Sequence, residues 1–264
     1  MAKIACAAWG FRQMSWEDYC RVAAAMGITY LEIQLPHHLA LGAGEAEMEA
    51  AKRMAREAGV RIVAIAGSSD FTSAAPAALE EAIGRAQRQV DLAARLDAEV
   101  VRLFTGGLAW ECVPPEVYTR LHYALDRIGD YAQAKGVTVA IENHGGVTAD
   151  GGRIARLMRG VHNKAVGINY DAANFLKIGV DPLIALRQII PWVNYSHWKD
   201  VRWANGDTAY CALGEGEVQW VPIVRELERA GYQGYWAIEY EASEDIERGT
   251  RDSLTHLRHL VEKL

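Results

Sequence analysis

The stretch VTVAIENH, residues 137 to 144, alternates with a two-residue period. Val137, Val139 and Ile141 share one parity, and Thr138, Ala140, Glu142 and His144 share the other. That alternation belongs to a β-strand, whose successive side chains point to opposite faces. The apolar set needs a covering layer. The other set ends in a carboxylate and an imidazole, with Gly145 and Gly146 directly behind them. A buried carboxylate two residues from an imidazole is costly unless something pairs with it, and a metal ion is one such partner.

The same parity recurs along the chain. In YLEIQL (30 to 35) Leu31, Ile33 and Leu35 alternate with Tyr30, Glu32 and Gln34. VGINYD (166 to 171) places Asn169 and Asp171 with the inward set, and WAIEYE (236 to 241) does so for Glu239 and Glu241. The apolar sets are expected to face helices. Small residues at Ala140, Gly167 and Ala237, two or four positions before an acid, leave space beneath a bound ion. In VNYSHWKD (193 to 200) the parity is not clean, and pattern alone does not choose between His197 and Trp198.

Short apolar runs alternate with longer amphipathic stretches eight times, which is the signature of βα units. Strands are expected near 3 to 9, 30 to 35, 61 to 67, 100 to 105, 137 to 143, 165 to 171, 193 to 198 and 235 to 240. Helix ends agree with this division. SWEDYCRVAAAMG opens on Ser15 and closes on Gly27, AEMEAAKRMAREAG closes on Gly59, and the helix after Pro114 and Pro115 closes on Gly136. Eight such units in 264 residues suit a single (β/α)8 TIM barrel, typically about 250 residues long. They fit an open doubly wound sheet less well, because its Gly-rich first turn is missing. No linker or composition shift divides the chain, so residues 1 to 264 are expected to form one domain.

A net charge of −6 offers no footprint for nucleic acid or an anionic membrane. Cys6, Cys20, Cys112 and Cys211 show no C-x-x-C spacing and are expected to be reduced thiols of a cytoplasmic protein. MAKIACAAWG reads as a first strand rather than a signal peptide, and no apolar run is long enough to cross a membrane. GEGE, in LGEGEVQW, comes late and lacks a phosphate-loop lysine.

Barrel active sites form where strands end and loops begin. Glu142, Asp171, His197 and Glu239 fall at the ends of strands five to eight. Three carboxylates and an imidazole make a hard, mostly oxygen site suited to Mg or Mn and workable for Co or Zn. Acids converging at a barrel mouth repel one another without a cation, so one divalent ion is expected.

The motifs IENH, NYDAANF, SHWKD, LGEGEVQW and AIEYE, in this order, resemble the sugar phosphate isomerase/epimerase family of xylose isomerase-like TIM barrels across essentially the whole chain. The resemblance assigns the metal to Glu142, Asp171, His197 and Glu239, which decides strand seven in favour of His197. It implies chemistry beside a carbonyl through an enediolate, with Glu142 and Glu239 as the base and acid pair. Proton return to the opposite face gives epimerisation, return to the neighbouring carbon gives isomerisation, and loss of a β-hydroxyl gives dehydration of a keto-sugar, inosose or related polyol. Isomerisation or epimerisation of a small carbohydrate is the leading expectation.

The chain departs from the sugar epimerases at Asn174, where they carry histidine, at Thr148, where they carry an acid, and at Trp203, with Arg202 adjacent, where they carry arginine. Substrate contacts are expected from His144, Lys199, Asn174, Arg202, Glu32 and Trp9. His144 has a structural alternative, Lys199 has a salt bridge as its alternative, and Glu32 has either a sugar hydroxyl or Arg102 as partner. Among Trp9, Trp110, Trp198 and Trp203, which fall at or after strand ends, one or two are expected to wall the pocket. The segment 201 to 220 reads as a long, mobile cover. Relatives' habits imply a dimer or tetramer. Two other classes compete: an endonuclease IV-like DNA repair enzyme, which shares the barrel and part of the ligand pattern, and a catalytically silent sugar-binding barrel.

Overall fold

The computed structural model describes residues 2–107, 113–204 and 206–262; Trp110 and Cys112 lie outside them. Eight parallel strands close a barrel: β1 (Lys3–Cys6), β2 (Tyr30–Gln34), β3 (Arg61–Ala66), β4 (Val100–Leu103), β5 (Thr138–Glu142), β6 (Val166–Asp171), β7 (Val193–Trp198) and β10 (Tyr235–Ile238). Their order around it is β1-β10-β7-β6-β5-β4-β3-β2. The strand starts expected from sequence agree to within one residue, and most strands end earlier than expected because their last residues turn into the loops of the mouth.

Helices α1 (Trp16–Ala25), α2 (Glu45–Ala58), α3 (Pro76–Arg95), α4 (Pro115–Ala134), α5 (Gly151–Arg159), α6 (Ala172–Leu176), α7 (Pro182–Ile189), α8 (Trp220–Arg229) and α9 (Ile246–Glu262) alternate with the strands. Local chemistry sets their ends. Ser15 caps α1 by accepting from the Asp18 amide, and Gly59 ends α2 at φ 76, a left-handed conformation open to glycine at little steric cost.

Parity divides the core into two layers. Leu31, Ile33, Val139, Ile141 and Ile168 lie in the layer between sheet and helices. Ala5, Ala7, Val63, Ala64, Val100, Ala140, Tyr195, Tyr235 and Ala237 form a separate cluster, the filled barrel interior. The unclean strand is thereby settled by packing: Tyr195 belongs to the interior cluster, and His197 shares its parity. Trp198 points outward, with ring centroids 4.7 Å from both Trp220 and Trp236. Trp198 therefore builds core and does not wall a pocket.

The segment read as a mobile cover contains regular structure. β8 (Asp200–Ala204) and β9 (Asp207–Cys211) pair antiparallel outside the barrel. The buried Asp200 carboxylate then fastens the following turn, accepting from Gly214 N (2.9 Å), Val218 N (3.2 Å) and Trp220 Nε1 (2.9 Å). LGEGEVQW is thus a turn wrapped on an internal carboxylate. Among the described residues, no helix is long and apolar enough to cross a membrane.

Candidate metal centre and its cleft

Glu142, Asp171, His197 and Glu239 are all buried, and each offers one ligand atom within 4.8 Å of the others. Neighbouring strands bring them together, with Asp171 in register with His197 and Ala237 beside it. The EN pair divides two tasks. Glu142 points inward, while Asn143 clamps the next strand, its Nδ2 donating to Asp171 O (2.8 Å) and its Oδ1 accepting from Asp171 N (2.7 Å).

His197 is held from behind. Its Nε2 lies 3.2 Å from Glu32 Oε2, and Glu32 also accepts from Tyr195 Oη (3.4 Å) and Ala8 N (3.3 Å). An ionised carboxylate only accepts, so Nε2 is the protonated nitrogen and Nδ1 is turned toward the cluster. Glu32, expected to contact substrate, is fully buried with its oxygens engaged. The structure places it beneath the site, where it orients the imidazole.

Asn174 lies against the cluster. It follows Asp171, which caps α6 by accepting from the Asn174 amide (3.1 Å), and its own Nδ2 donates to Glu142 Oε1 (3.0 Å). It positions a carboxylate. Arg102 lies on the other side of that carboxylate, with Nε 3.2 Å from Glu142 Oε2. The open choice for Glu32 is thus decided: Arg102 pairs with Glu142, and Glu32 pairs with His197.

Lys199 Nζ lies 2.9 Å from each of Asp171 Oδ2, Glu239 Oε2 and Glu241 Oε1. Burial alone would lower its pKa, but the three carboxylates outweigh burial and hold it well above the ordinary value. Burial likewise opposes protonation of His197, and the charges of Glu239 and Glu32 reverse that effect. Glu241 is pushed up to about 7, first by burial and then by Glu239. Arg202 is exposed on β8 and makes no hydrogen bond or ion pair to the cluster among the described residues, so the structure does not bring it to the site. Trp9 sits in the turn after β1, under the Arg12 guanidinium at 4.3 Å, and Trp203 is 52% exposed.

The donor set fits a divalent cation on two grounds. Among the described residues, five carboxylates (Glu32, Glu142, Asp171, Glu239 and Glu241) face two permanent cations, Arg102 and Lys199, which leaves negative charge in excess. In addition, His197 Nδ1, 3.3 Å from Glu239 Oε2, and Asp171 Oδ2, 2.9 Å from Lys199 Nζ, are buried without an aligned hydrogen bond. A divalent cation can take these positions in place of the His197 proton and the Lys199 ammonium.

Beside the cluster opens a cleft of about 350 Å³ lined by Ser68, Ser69, Asp70, Phe104, Thr105, Gly106, Gly107, Glu142, His144 and Thr148. Glu142 is the member of the four that faces it. His144 is exposed there and stands edge-on to Phe104, with centroids 5.2 Å apart. Thr148 donates to Gly145 O (2.9 Å) and accepts from His144 N (3.1 Å). The loops after β3 and β4 were not singled out from sequence. The Gly106-Gly107 pair behind strand four, parallel to Gly145-Gly146 behind strand five, was the available signal.

Closed parallel barrel, buried cluster and mouth cleft define a class of protein. The chain belongs to the xylose isomerase-like TIM barrel family, which matches residues 20–260. It is 28% identical over 135 residues to inosose dehydratase of Geobacillus thermodenitrificans, covering 44% of this chain and 45% of that enzyme. The chain spans about half the length of the curated relatives it matches. A xylose isomerase-like TIM barrel protein from Mycobacterium smegmatis, solved with magnesium, shares the fold at TM-score 0.83 and 18% identity, over 99% of this chain and 97% of that one. L-ribulose 3-epimerase does so at TM-score 0.83 and 17% identity, over 100% and 95%.

Proposed function

We propose that the protein is a divalent-metal-dependent dehydratase of a small polyhydroxylated ketone. The observation that carries this reading is the convergence of Glu142, Asp171, His197 and Glu239 within 4.8 Å around unsatisfied buried donor atoms. These four residues would hold the ion, and a bound ion supplies positive charge beside the carbonyl oxygen where negative charge develops.

The chain's own groups divide the remaining work. Glu142 faces the cleft and takes the proton from the carbon next to the carbonyl. That electron pair forms the new C=C bond as the β C–O bond breaks. His144, on the same cleft, delivers a proton to the departing hydroxide, which leaves as water. Asn174 and Arg102 hold Glu142 in place, and Glu32 holds His197.

The likeness to inosose dehydratase favours dehydration. Epimerisation is the second reading, favoured by a particular placement: Glu142 ends β5 and Glu239 directly follows β10, separated around the barrel by β6 and β7, and so they approach the cluster from different sides. In that reaction Glu239 would return the proton. The buried free thiols Cys6, Cys20 and Cys211 suit the cytoplasm.

The test is incubation of metal-supplemented protein with inososes and ketoses in deuterated water, followed by NMR. Metal-dependent loss of water from an inosose is the expected result. Deuterium entry at the α-carbon of a ketose with inversion would move the assignment to epimerase, and absence of both exchange and product would overturn the enzyme reading.

A further inference from the structure

We infer that Asp70 makes the cleft a charge filter, seating an uncharged polyhydroxylated ligand and rejecting a phosphate ester or carboxylate of similar size. This rests on the reading of the cleft as the substrate's seat.

One wall of the cleft, built by the loops after β3 and β4, consists of Ser68, Ser69, Asp70, Thr105, Gly106 and Gly107. The lining contains no lysine or arginine among the described residues. Two arginines stand behind the wall and neither is among its lining residues. Arg102 spends Nη1 on Gly67 O (3.0 Å) and Nε on Glu142, while Arg120 donates to Thr72 O (3.1 Å).

The Asp70 carboxylate is fixed in place. Its Oδ1 accepts from Thr72 N (2.9 Å) and Thr72 Oγ1 (2.5 Å), which leaves Oδ2 with no protein donor among the described residues. It packs against the backbone of Gly106, where φ is +132 and an added Cβ would meet Asp70 Oδ1 at 2.1 Å. The Ser69 hydroxyl is already used, donating to Phe104 O (2.7 Å) and accepting from Phe104 N (3.1 Å). A ligand reaching this wall therefore meets a rigid, half-satisfied carboxylate that accepts from hydroxyls and repels anions. The cleft volume of about 350 Å³ is at the small-ligand end of the usual range, roughly 300–1,000 Å³.

Calorimetric titration of the metal-loaded protein with myo-inositol and with myo-inositol 1-phosphate, two non-reacting ligands, tests the inference. The wild type should prefer the neutral polyol by on the order of tenfold, the size expected for one like-charge contact in a partly hydrated site. Asp70→Asn keeps the Oδ1 acceptor for Thr72 and should narrow the ratio, and Asp70→Lys should invert it. Equal or tighter binding of the phosphate by wild type, an unchanged ratio in both variants, or no binding of either ligand would overturn it. Failure of the dehydratase reading shows separately, as an absence of turnover with the binding ratio intact.

Discussion

The two halves of the barrel mouth are built on opposite terms. On the β5, β6, β7 and β10 side the ligand carboxylates are buried and cross-linked: Glu142 by Arg102 and Asn174, Asp171 and Glu239 by Lys199, and His197 by Glu32. On the β3 and β4 side, Ser68, Asp70 and Gly107 are exposed; Ser69 and Asp70 bond to the loop backbone and Thr72, and Gln89 and Arg120 hold Ser68 and Thr72 from the helices behind. The first half holds charge in fixed geometry away from water, where electrostatic effects are strongest. The second keeps water-facing groups that a ligand can replace. On the proposed function, reaction and selection fall to different loops, and substitutions can separate them.

The largest effect should come from the buried half. Asp171→Ala or His197→Ala removes a ligand atom and should cost on the order of 10,000-fold in turnover, as expected when charge stabilisation worth several kcal/mol is lost. Elemental analysis of reconstituted protein should show the ion gone. Full metal content in both variants would remove these residues as ligands. Glu142→Gln keeps shape and one carbonyl oxygen but loses the base, so metal should be retained while turnover falls about 100-fold to 10,000-fold. A metal-loaded variant working at wild-type rate would pass the base role to His144. Glu32→Gln should weaken metal binding by about 10-fold to 100-fold, because the imidazole loses the partner that fixes its orientation. Metal titration by competition with a chromophoric chelator reads this directly, and unchanged affinity would make Glu32 a mere filler.

The contrast also explains what the sequence could tell. The inward acids of the buried half sit on strands, whose period of two fixes direction, so Glu142, Asp171 and Glu239 were legible from parity alone. His197 was not, because Ser196 and Trp198 break the alternation; the resemblance chose it, and packing of Trp198 on Trp236 gives the physical reason. The partner of Glu32, His197 rather than Arg102, is not legible in the sequence, since which acid an arginine or histidine meets depends on side-chain reach across the barrel. The Asp70 wall was invisible. It depends on two loops meeting, with Asp70 seated on Gly106, and loop geometry carries no periodicity.

Gly106→Ala sharpens the comparison from the exposed half. A side chain at φ +132 is strained, and the Cβ would overlap the Asp70 carboxylate. Destabilisation of about 2–3 kcal/mol is expected, read as a lower denaturant midpoint, with metal affinity unchanged. A neutral substitution would mean that the two loops are free to part.

The smallest effect belongs to the seam between the hairpin and the buried half. Tyr210, on β9, receives a hydrogen bond from Lys177 Nζ at 2.6 Å, and its hydroxyl interacts with the Glu241 carboxyl and helps lower its pKa against the rise from burial, while Glu241 accepts from Lys199. Its ring lies under Lys177 at 4.7 Å and Lys199 at 5.8 Å. Tyr210→Phe keeps that ring and deletes only the hydroxyl, so the loss should be about 1 kcal/mol, the net worth of an ordinary hydrogen bond, or about 2–4 °C in Tm for a chain of this size. Glu241, with one donor fewer, should lean harder on Lys199 and draw its ammonium away from Asp171 and Glu239. Turnover should then shift by a few-fold while metal content stays at the wild-type level, a combination that loosened packing of the hairpin alone would not give. If Tm falls and turnover does not move, the hairpin is a brace and the Lys199 position is set by the carboxylates alone.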